Sequence, residues 1–362
     1  MDLCQRRKIP GIVVQSVQDA DIHHLGDIKA EGYSILNYHL IKNKLLFDVG
    51  LYKHDVTAVW YQRGIDSPKD EYYLVSNEGQ NALGQLTWTF NQRRKEAYLR
   101  VAEGNSRNTK TTDQDLTPIA GATDKHRDGQ WTLGGIIDYT DDRLDPRQGY
   151  RLEGALSHGR RADPNDPNYY VAAYNATLFV PVHKWDTFAL NGYFSRAHVL
   201  QEGETNFNTL AASPEYDCTE ATCSDQQKAL INQNIAANRY GTAALLGGTQ
   251  RLRSFSNYRF RAGQALFYGA EYRWNLTDEH KPFNIYLAKG IRTGIQLAFF
   301  AEQGTVADES SQLFKNFKSS AGMGLRIVLT GVIIRADYAT GNEGSELTVF
   351  IDYPWSMFSV DS

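Results

Sequence analysis

Nowhere does this chain carry a run of roughly 18 apolar residues, so a transmembrane helix is excluded. A transmembrane β-barrel is not, because its strands alternate apolar and polar residues and stay hidden from averaged hydropathy. The mean hydropathy of -0.48 is low for a helical membrane protein. Charge of one sign is also missing: 38 Lys and Arg against 42 Asp and Glu leave a net -4. With no large single-sign field, and no basic stripe interleaved with stacking aromatics, nucleic acid is not an expected partner. The nine histidines include no HExxH or HxH spacing that would put two imidazoles on one metal, and His23-His24 reads as a solvated terminal pair. There is no GxSxG elbow and no P-loop, and the carboxylate pairs Asp141-Asp142 and Asp217 to Glu220 fall in apparent loops. Ser157-His158, and Ser195 with His198, lie on strands at spacings that point the two side chains to opposite faces. No catalytic residue, metal or cofactor is therefore expected. No internal repeat of a solenoid or propeller is present.

What the chain does have is aromatic residues and alternation. Tyr 21, Phe 16 and Trp 6 against Met 3 and Pro 10, with Gly 30, describe a β-rich sequence. From Gln264 to Trp274 the positions Leu266, Tyr268, Ala270, Tyr272 and Trp274 form one face of a strand. The other face carries Phe267, Glu271 and Arg273. A period of two suits a wall between lipid and a wet lumen, and equally a half-buried strand of a soluble sandwich. The same pattern recurs over Thr293 to Glu302, with Ile295, Leu297 and Phe299 opposite Gln296, Phe300 and Glu302. Gly322 to Val328 places Arg326 opposite Met323, Leu325 and Ile327, and Val332 to Tyr338 places Arg335 and Asp337 opposite Ile334 and Tyr338. Leu329-Thr330-Gly331 between these two is short enough for a tight turn. Ser345 to Tyr353 reads as a closing strand, with Leu347, Val349, Ile351 and Tyr353 opposite Glu346, Thr348, Phe350 and Asp352 and Trp355 as an aromatic girdle residue at its end.

Upstream, Trp131 to Tyr139, Gly149 to His158, Tyr169 to Val182 and Thr187 to Val199 read as long strands joined by turn chemistry such as Pro164-Asn165-Asp166-Pro167. Lys44 to Gly50, Asp55 to Gln62, Gly84 to Asn91 and Glu96 to Glu103 add four more, with two or three others before Gly129. The total is about sixteen, an even number as single-chain bacterial barrels require. The polar segment from Gln201 to Tyr240 includes a short helix near Ser224 to Ala237. It also holds Cys218 and Cys223, spaced either for a small disulfide loop in an oxidising compartment or as two free thiols. In such barrels long loops face the outside of the cell and short turns the periplasm. Residues 1 to 30 show no convincing alternation, which divides the chain into an N-terminal segment, 1–30, and a barrel domain, 31–362.

Two short motifs carry a family resemblance. Leu252-Arg253-Ser254-Phe255, followed by Arg259-Phe260-Arg261, resembles the Val/Leu-Arg-Gly-Phe/Tyr loop of the bacterial surface-antigen superfamily of outer-membrane barrels. That family includes the BamA and TamA assembly proteins and the two-partner-secretion translocators. Phe300-Ala301-Glu302-Gln303-Gly304 resembles its Phe-x-Asp-x-Gly strand motif, and the five strands counted from Gln264 match the number the resemblance requires. Serine stands at 254 where the family has glycine, and glutamate at 302 where it has aspartate. The resemblance implies a transmembrane antiparallel barrel with the Arg253 loop folded into its lumen. It implies a role in outer-membrane protein insertion, assembly or translocation, with outer-membrane lipid, client proteins and periplasmic factors as partners. A passive outer-membrane pore or anchoring barrel is the alternative. Arg253 is expected to pair with Glu302, since a guanidinium in a partly dehydrated lumen needs a carboxylate. On that reading a charge swap of the two residues partly restores what either single change removes. Glu271, Arg273, Arg326, Arg335 and Asp337 are expected as lumenal charges. Met1 to Ile9 shows no apolar export signal, so an outer-membrane assignment implies a truncated or misassigned start or a missing upstream part, with an unrelated localisation as the competing explanation.

Overall fold

The computed structural model describes residues 28–355 except positions 42–43, 62, 68–71, 113–124, 144, 160–164, 215, 244, 257, 279–282, 286–287, 292, 330–331 and 352. Cys4, the start at Met1 to Ile9, nearly all of segment 1–30, and the turn residues Thr330 and Gly331 lie outside the described residues.

The described chain is antiparallel β-sheet. Its first strands are β1 (Ile28–Ile41), β2 (Leu45–Tyr61), β3 (Tyr72–Phe90), β4 (Lys95–Thr112) and β5 (Lys125–Asp138). Then come β6 (Gly149–Gly159), β7 (Asn168–His183) and β8 (Asp186–Gln201). Two helices, α1 (Phe207–Ala211) and α2 (Asp225–Tyr240), precede β9 (Gln264–Asp278). A small ribbon of β10 (Phe283–Ile285) and β11 (Ala288–Ile291) interrupts the path to β12 (Thr293–Ala307). The chain finishes with β13 (Lys318–Leu329), β14 (Val332–Gly341) and β15 (Gly344–Ile351). Thirteen strands form one meander in the order β1-β2-β3-β4-β5-β6-β7-β8-β9-β12-β13-β14-β15. Among the described residues β1 and β15 are its two edges and do not pair.

The expectation of about sixteen strands is therefore not met by the described residues. The difference lies in the first third, where the stretches read from Lys44 to Gly50 and from Asp55 onward fall on the single 17-residue β2. Gly84 to Asn91 is likewise the end of the 19-residue β3. A polar stretch interrupts each strand, Lys53-His54-Asp55 in β2 and Ser76 to Asn81 in β3, so one strand reads as two. Downstream of the motif loop the five meander strands are found as expected.

Alternation translates directly into burial. Along β12, Ile295 and Phe299 are exposed while Gln296, Ala298, Phe300 and Glu302 are buried. Arg326 on β13 and Arg335 and Asp337 on β14 turn to the same buried face, as do Glu271 and Arg273 on β9. Polar residues inside and Leu, Ile, Met, Tyr and Trp outside are the reverse of a soluble sandwich. Gly324 sits beside this crowded interior, and a Cβ there would lie 1.9 Å from Asp337 Oδ1.

The sheet curls around that face. From β7 to β14 is five strand steps, roughly 24 Å along a flat sheet. Yet the short segment 246–255 reaches both: Arg251 Nη2 donates to Asn175 of β7 at 3.3 Å, and Thr249 O accepts from Arg335 of β14 at 2.5 Å. The connections β2–β3, β8–β9, β12–β13 and β14–β15 gather at the end that carries α1 and α2. Ser224 caps α2 in a reciprocal box with Gln227, and Cys218 and Cys223 are joined by a disulfide beside the cluster of Ala211, Tyr216 and Ile231.

The chain end departs from expectation. Trp355 is not a girdle residue facing lipid. Pairing stops at Ile351, and Tyr353 and Trp355 are buried on the inner side. Proline at 354 has no N–H to extend the ladder, which leaves the tail free to turn inward.

Candidate functional site

Residues 241–263 form a loop inside the curl. Its legs are tied by the antiparallel bridge Leu246↔Phe260, with both backbone hydrogen bonds at 2.9 Å, and by Ala243 N to Ala262 O at 2.8 Å. Gly247 has φ +108°, and a Cβ there would lie 2.5 Å from Ser256 O, so the close approach of the legs requires glycine. At the tip, Phe255 N–H donates to Leu252 O at 3.0 Å, closing a turn with Arg253 and Ser254 at its centre. Leu246, Leu252, Phe255 and Phe260 pack with Phe267 and Val306 of the wall, and the space for Leu246 and Leu252 comes from the absent side chain of Gly304.

Arg253 is fully buried and binds the wall on several sides. Its Nε donates to Glu302 Oε1 at 2.9 Å and its backbone N–H to Glu302 Oε2 at 3.0 Å. Nη1 reaches Asp337 Oδ2 at 2.8 Å and Glu271 Oε2 at 3.2 Å, while the guanidinium lies 3.4 Å over the Phe300 ring. Three strands, β9, β12 and β14, thus converge on one side chain. Ser254 fits without glycine's help because Gly341 on β14 faces it; a Cβ at 341 would lie 2.2 Å from Ser254 Oγ. Ser254 N–H donates to Ser320 Oγ at 3.0 Å.

The remaining charges interlock behind this contact. Arg326 holds Glu271 with both terminal nitrogens at 2.6 and 2.5 Å, and Arg273 Nε reaches the same carboxylate at 2.7 Å. Arg335 Nη1 pairs with Asp337 at 2.5 Å. Trp355 Nε1 donates to Glu302 Oε1 at 3.0 Å, and its carbonyl accepts from Asn175 of β7 at 2.9 Å. Tyr353 Oη donates to Asp145 at 2.5 Å, with Arg273 4.0 Å over its ring. Such a buried, multiply paired network is geometrically demanding, and removal of one member leaves charge uncompensated.

The structure brings together Arg253, Glu302, Phe300, Glu271, Arg273, Arg326, Arg335 and Asp337. Arg259 and Arg261 stand apart at the mouth: Arg259 binds Glu343 at 2.8 Å and Ser67, and Arg261 Nη2 reaches Gln233 at 3.2 Å. Because Arg253 also touches Glu271 and Asp337, the partial rescue by charge swap does not follow; Arg253→Glu would set a third carboxylate against two others. Sequence reasoning missed Asp337 and Glu271 as partners of Arg253, Trp355 as a partner of Glu302, and Gly341 as the counterpart of Ser254. Strand register, which alternation alone does not fix, is what joins them. Among the described residues no group of His, Cys, Asp and Glu is arranged to hold a metal.

A family model described as the Omp85 superfamily domain matches residues 68–347. No curated protein matches the chain. Among solved structures, BamA from Haemophilus ducreyi lacking POTRA domains 1-3 is similar at 11% identity and a TM-score of 0.49, covering 90% of this chain and 61% of that one. CdiB from Escherichia coli is similar at 11% identity and a TM-score of 0.49, covering 92% of this chain and 54% of that one. CdiB from Acinetobacter baumannii gives 11%, 0.48, 92% and 52%. The chain thus spans little more than half the length of these structures.

Proposed function

Since the chain belongs to the Omp85 superfamily of outer-membrane barrels, we propose that residues 31–362 act as a membrane barrel domain that inserts, assembles or translocates proteins at the bacterial outer membrane. The observation that carries this reading is the filled interior. Loop 241–263 and residues 353–355 occupy the face that a passive pore would leave to water, the loop fixed there by buried ion pairs and the tail by hydrogen bonds. A pore gains nothing from such a plug, whereas a machine that opens on demand needs a closed resting state.

On this proposal the sheet closes into a barrel through a weak seam next to β15. Strand edges at a parted seam offer unpaired N–H and C=O groups that template an incoming strand. Clients are then outer-membrane or secreted β-rich proteins, delivered by periplasmic factors, with outer-membrane lipid around the wall.

The test is reconstitution of the full chain into lipid vesicles with an unfolded client barrel. Client folding faster than in empty vesicles supports the proposal. Steady ion conduction without any effect on folding would replace it with the passive pore.

A further inference from the structure

We infer that residues 63–67 form a strap, fastened by Arg63 to Asp308, that locks loop 241–263 at its stem and closes the mouth of the lumen. The inference rests on the barrel reading but not on what the barrel transports. The tip lock through Arg253 holds only one end of the loop. The other end, at the side of the long connections, is held by different residues from distant parts of the chain.

Arg63 lies in the connection between β2 and β3, and its side chain is 5% exposed. Its Nε donates to Asp308 Oδ1 at 2.9 Å and Oδ2 at 3.0 Å, and Nη2 adds a third contact to Oδ1 at 2.6 Å. The same guanidinium reaches Thr242 Oγ1 at 3.1 Å and Gly241 O at 2.5 Å, where the loop leaves α2. Asp308, at the start of the β12–β13 connection, also accepts from Gly263 N–H at 2.8 Å, where the loop enters β9. One ion pair therefore ties both ends of the loop. Arg63 N–H donates to Gln233 of α2 at 3.1 Å, which brings the helix into the same contact.

The residues that follow continue the closure. Gly64, at φ +102°, turns the chain so that its N–H meets Arg261 O at 2.8 Å. Ile65 is buried and completes the apolar cluster of Leu246, Leu252, Phe255 and Phe260 from above. Asp66 accepts from Asn316 at 2.8 Å, and Ser67 binds Arg259, which in turn holds Glu343. A planar guanidinium that serves a carboxylate, a hydroxyl and a carbonyl together is a task lysine does not fill. The arrangement makes Arg63 and Asp308 positioning residues: release of the pair frees the stem and uncovers the apolar cluster while Arg253 stays on Glu302.

The test uses the full chain in outer membranes with Cys4→Ser and Leu246→Cys, probed from outside with a membrane-impermeant maleimide. Arg63→Ala and Asp308→Asn should each raise the labelling rate of position 246 at least tenfold. The double variant should go no further than either single one, and Arg63→Lys should lie between. Labelling at the parent rate in both single variants, or simple addition in the double, would overturn the strap. The parent is run alongside on semi-native gels: if its band fails to shift on boiling, the barrel reading falls and the strap with it. If Arg63→Ala abolishes the shift, Asp308→Asn, which keeps shape and most hydrogen bonds, carries the same comparison.

Discussion

Replacing Arg253 by alanine removes the side chain that contacts three carboxylates at once. Two of them keep other cations: Glu271 retains Arg273 and Arg326, and Asp337 retains Arg335. Glu302 keeps the N–H of Trp355 and the backbone N–H of residue 253, with Arg251 the remaining cation in electrostatic reach but no direct ion pair among the described residues. Breaking a buried pair from one side costs about 3 to 5 kcal/mol, and the two surviving donors place this case at about 3 kcal/mol. If the loop leaves the wall as a unit, about 3 kcal/mol raises its released population roughly a hundredfold. Hydrogen exchange of the detergent-solubilised protein reads that population directly. Amides of residues 246–260 should exchange about a hundredfold faster in Arg253→Ala, with those of β6 and β7 unchanged. Exchange within threefold of the parent would refute the reasoning, because it would mean that the buried pair does not hold the loop.

Other consequences are equally open to measurement. Trp355→Phe keeps the ring but removes the N–H that Glu302 accepts, and should lower the thermal midpoint of the semi-native gel transition by the equivalent of about 1.5 to 3 kcal/mol. Gly341→Ala should weaken the loop contact through its clash with Ser254, and Ser254→Gly should recover part of the loss in the same assay. Burial pushes the Asp145 carboxyl up, but Arg147 and the hydrogen bond from Tyr353 more than offset this and hold its pKa below the ordinary value. A depressed carboxylate contributes stability above its unfolded pKa and loses it as pH falls through the folded one. The tail should therefore stay docked down to the ordinary aspartate range and loosen only below it, and Asp145→Asn should remove that acid step in protease protection of the C-terminus. Reducing Cys218–Cys223, which closes a short loop, should cost the α1–α2 cap about 2 kcal/mol. Exchange in α2 should rise without any change in the boiling shift of the barrel.

Much of the wall was legible because β-structure has a period of two that burial enforces. Ile295 and Phe299 outward, with Phe300 and Glu302 inward, follow from the sequence of β12 alone. The motif loop and its acidic partner were legible as residue types at a required number of strands. The set of charges around Arg253 was not, because Asp337 and Glu271 meet it only through the register of β9, β12 and β14. Trp355 was misplaced because alternation says nothing about a tail beyond the last ladder pair. Arg63 and Asp308 lie 245 residues apart in two irregular connections, where no periodic signal exists. The strand count was less legible because a polar stretch interrupts β2 and β3 in mid-strand.

The central claim is a membrane barrel whose lumen is filled by a pinned loop, and semi-native electrophoresis of membranes carrying the chain behind an export signal tests it most directly. The account predicts a fast-migrating band that slows on boiling, at a lower temperature in Arg253→Ala than in the parent. A water-soluble protein, or a band whose mobility is the same before and after boiling, would contradict it.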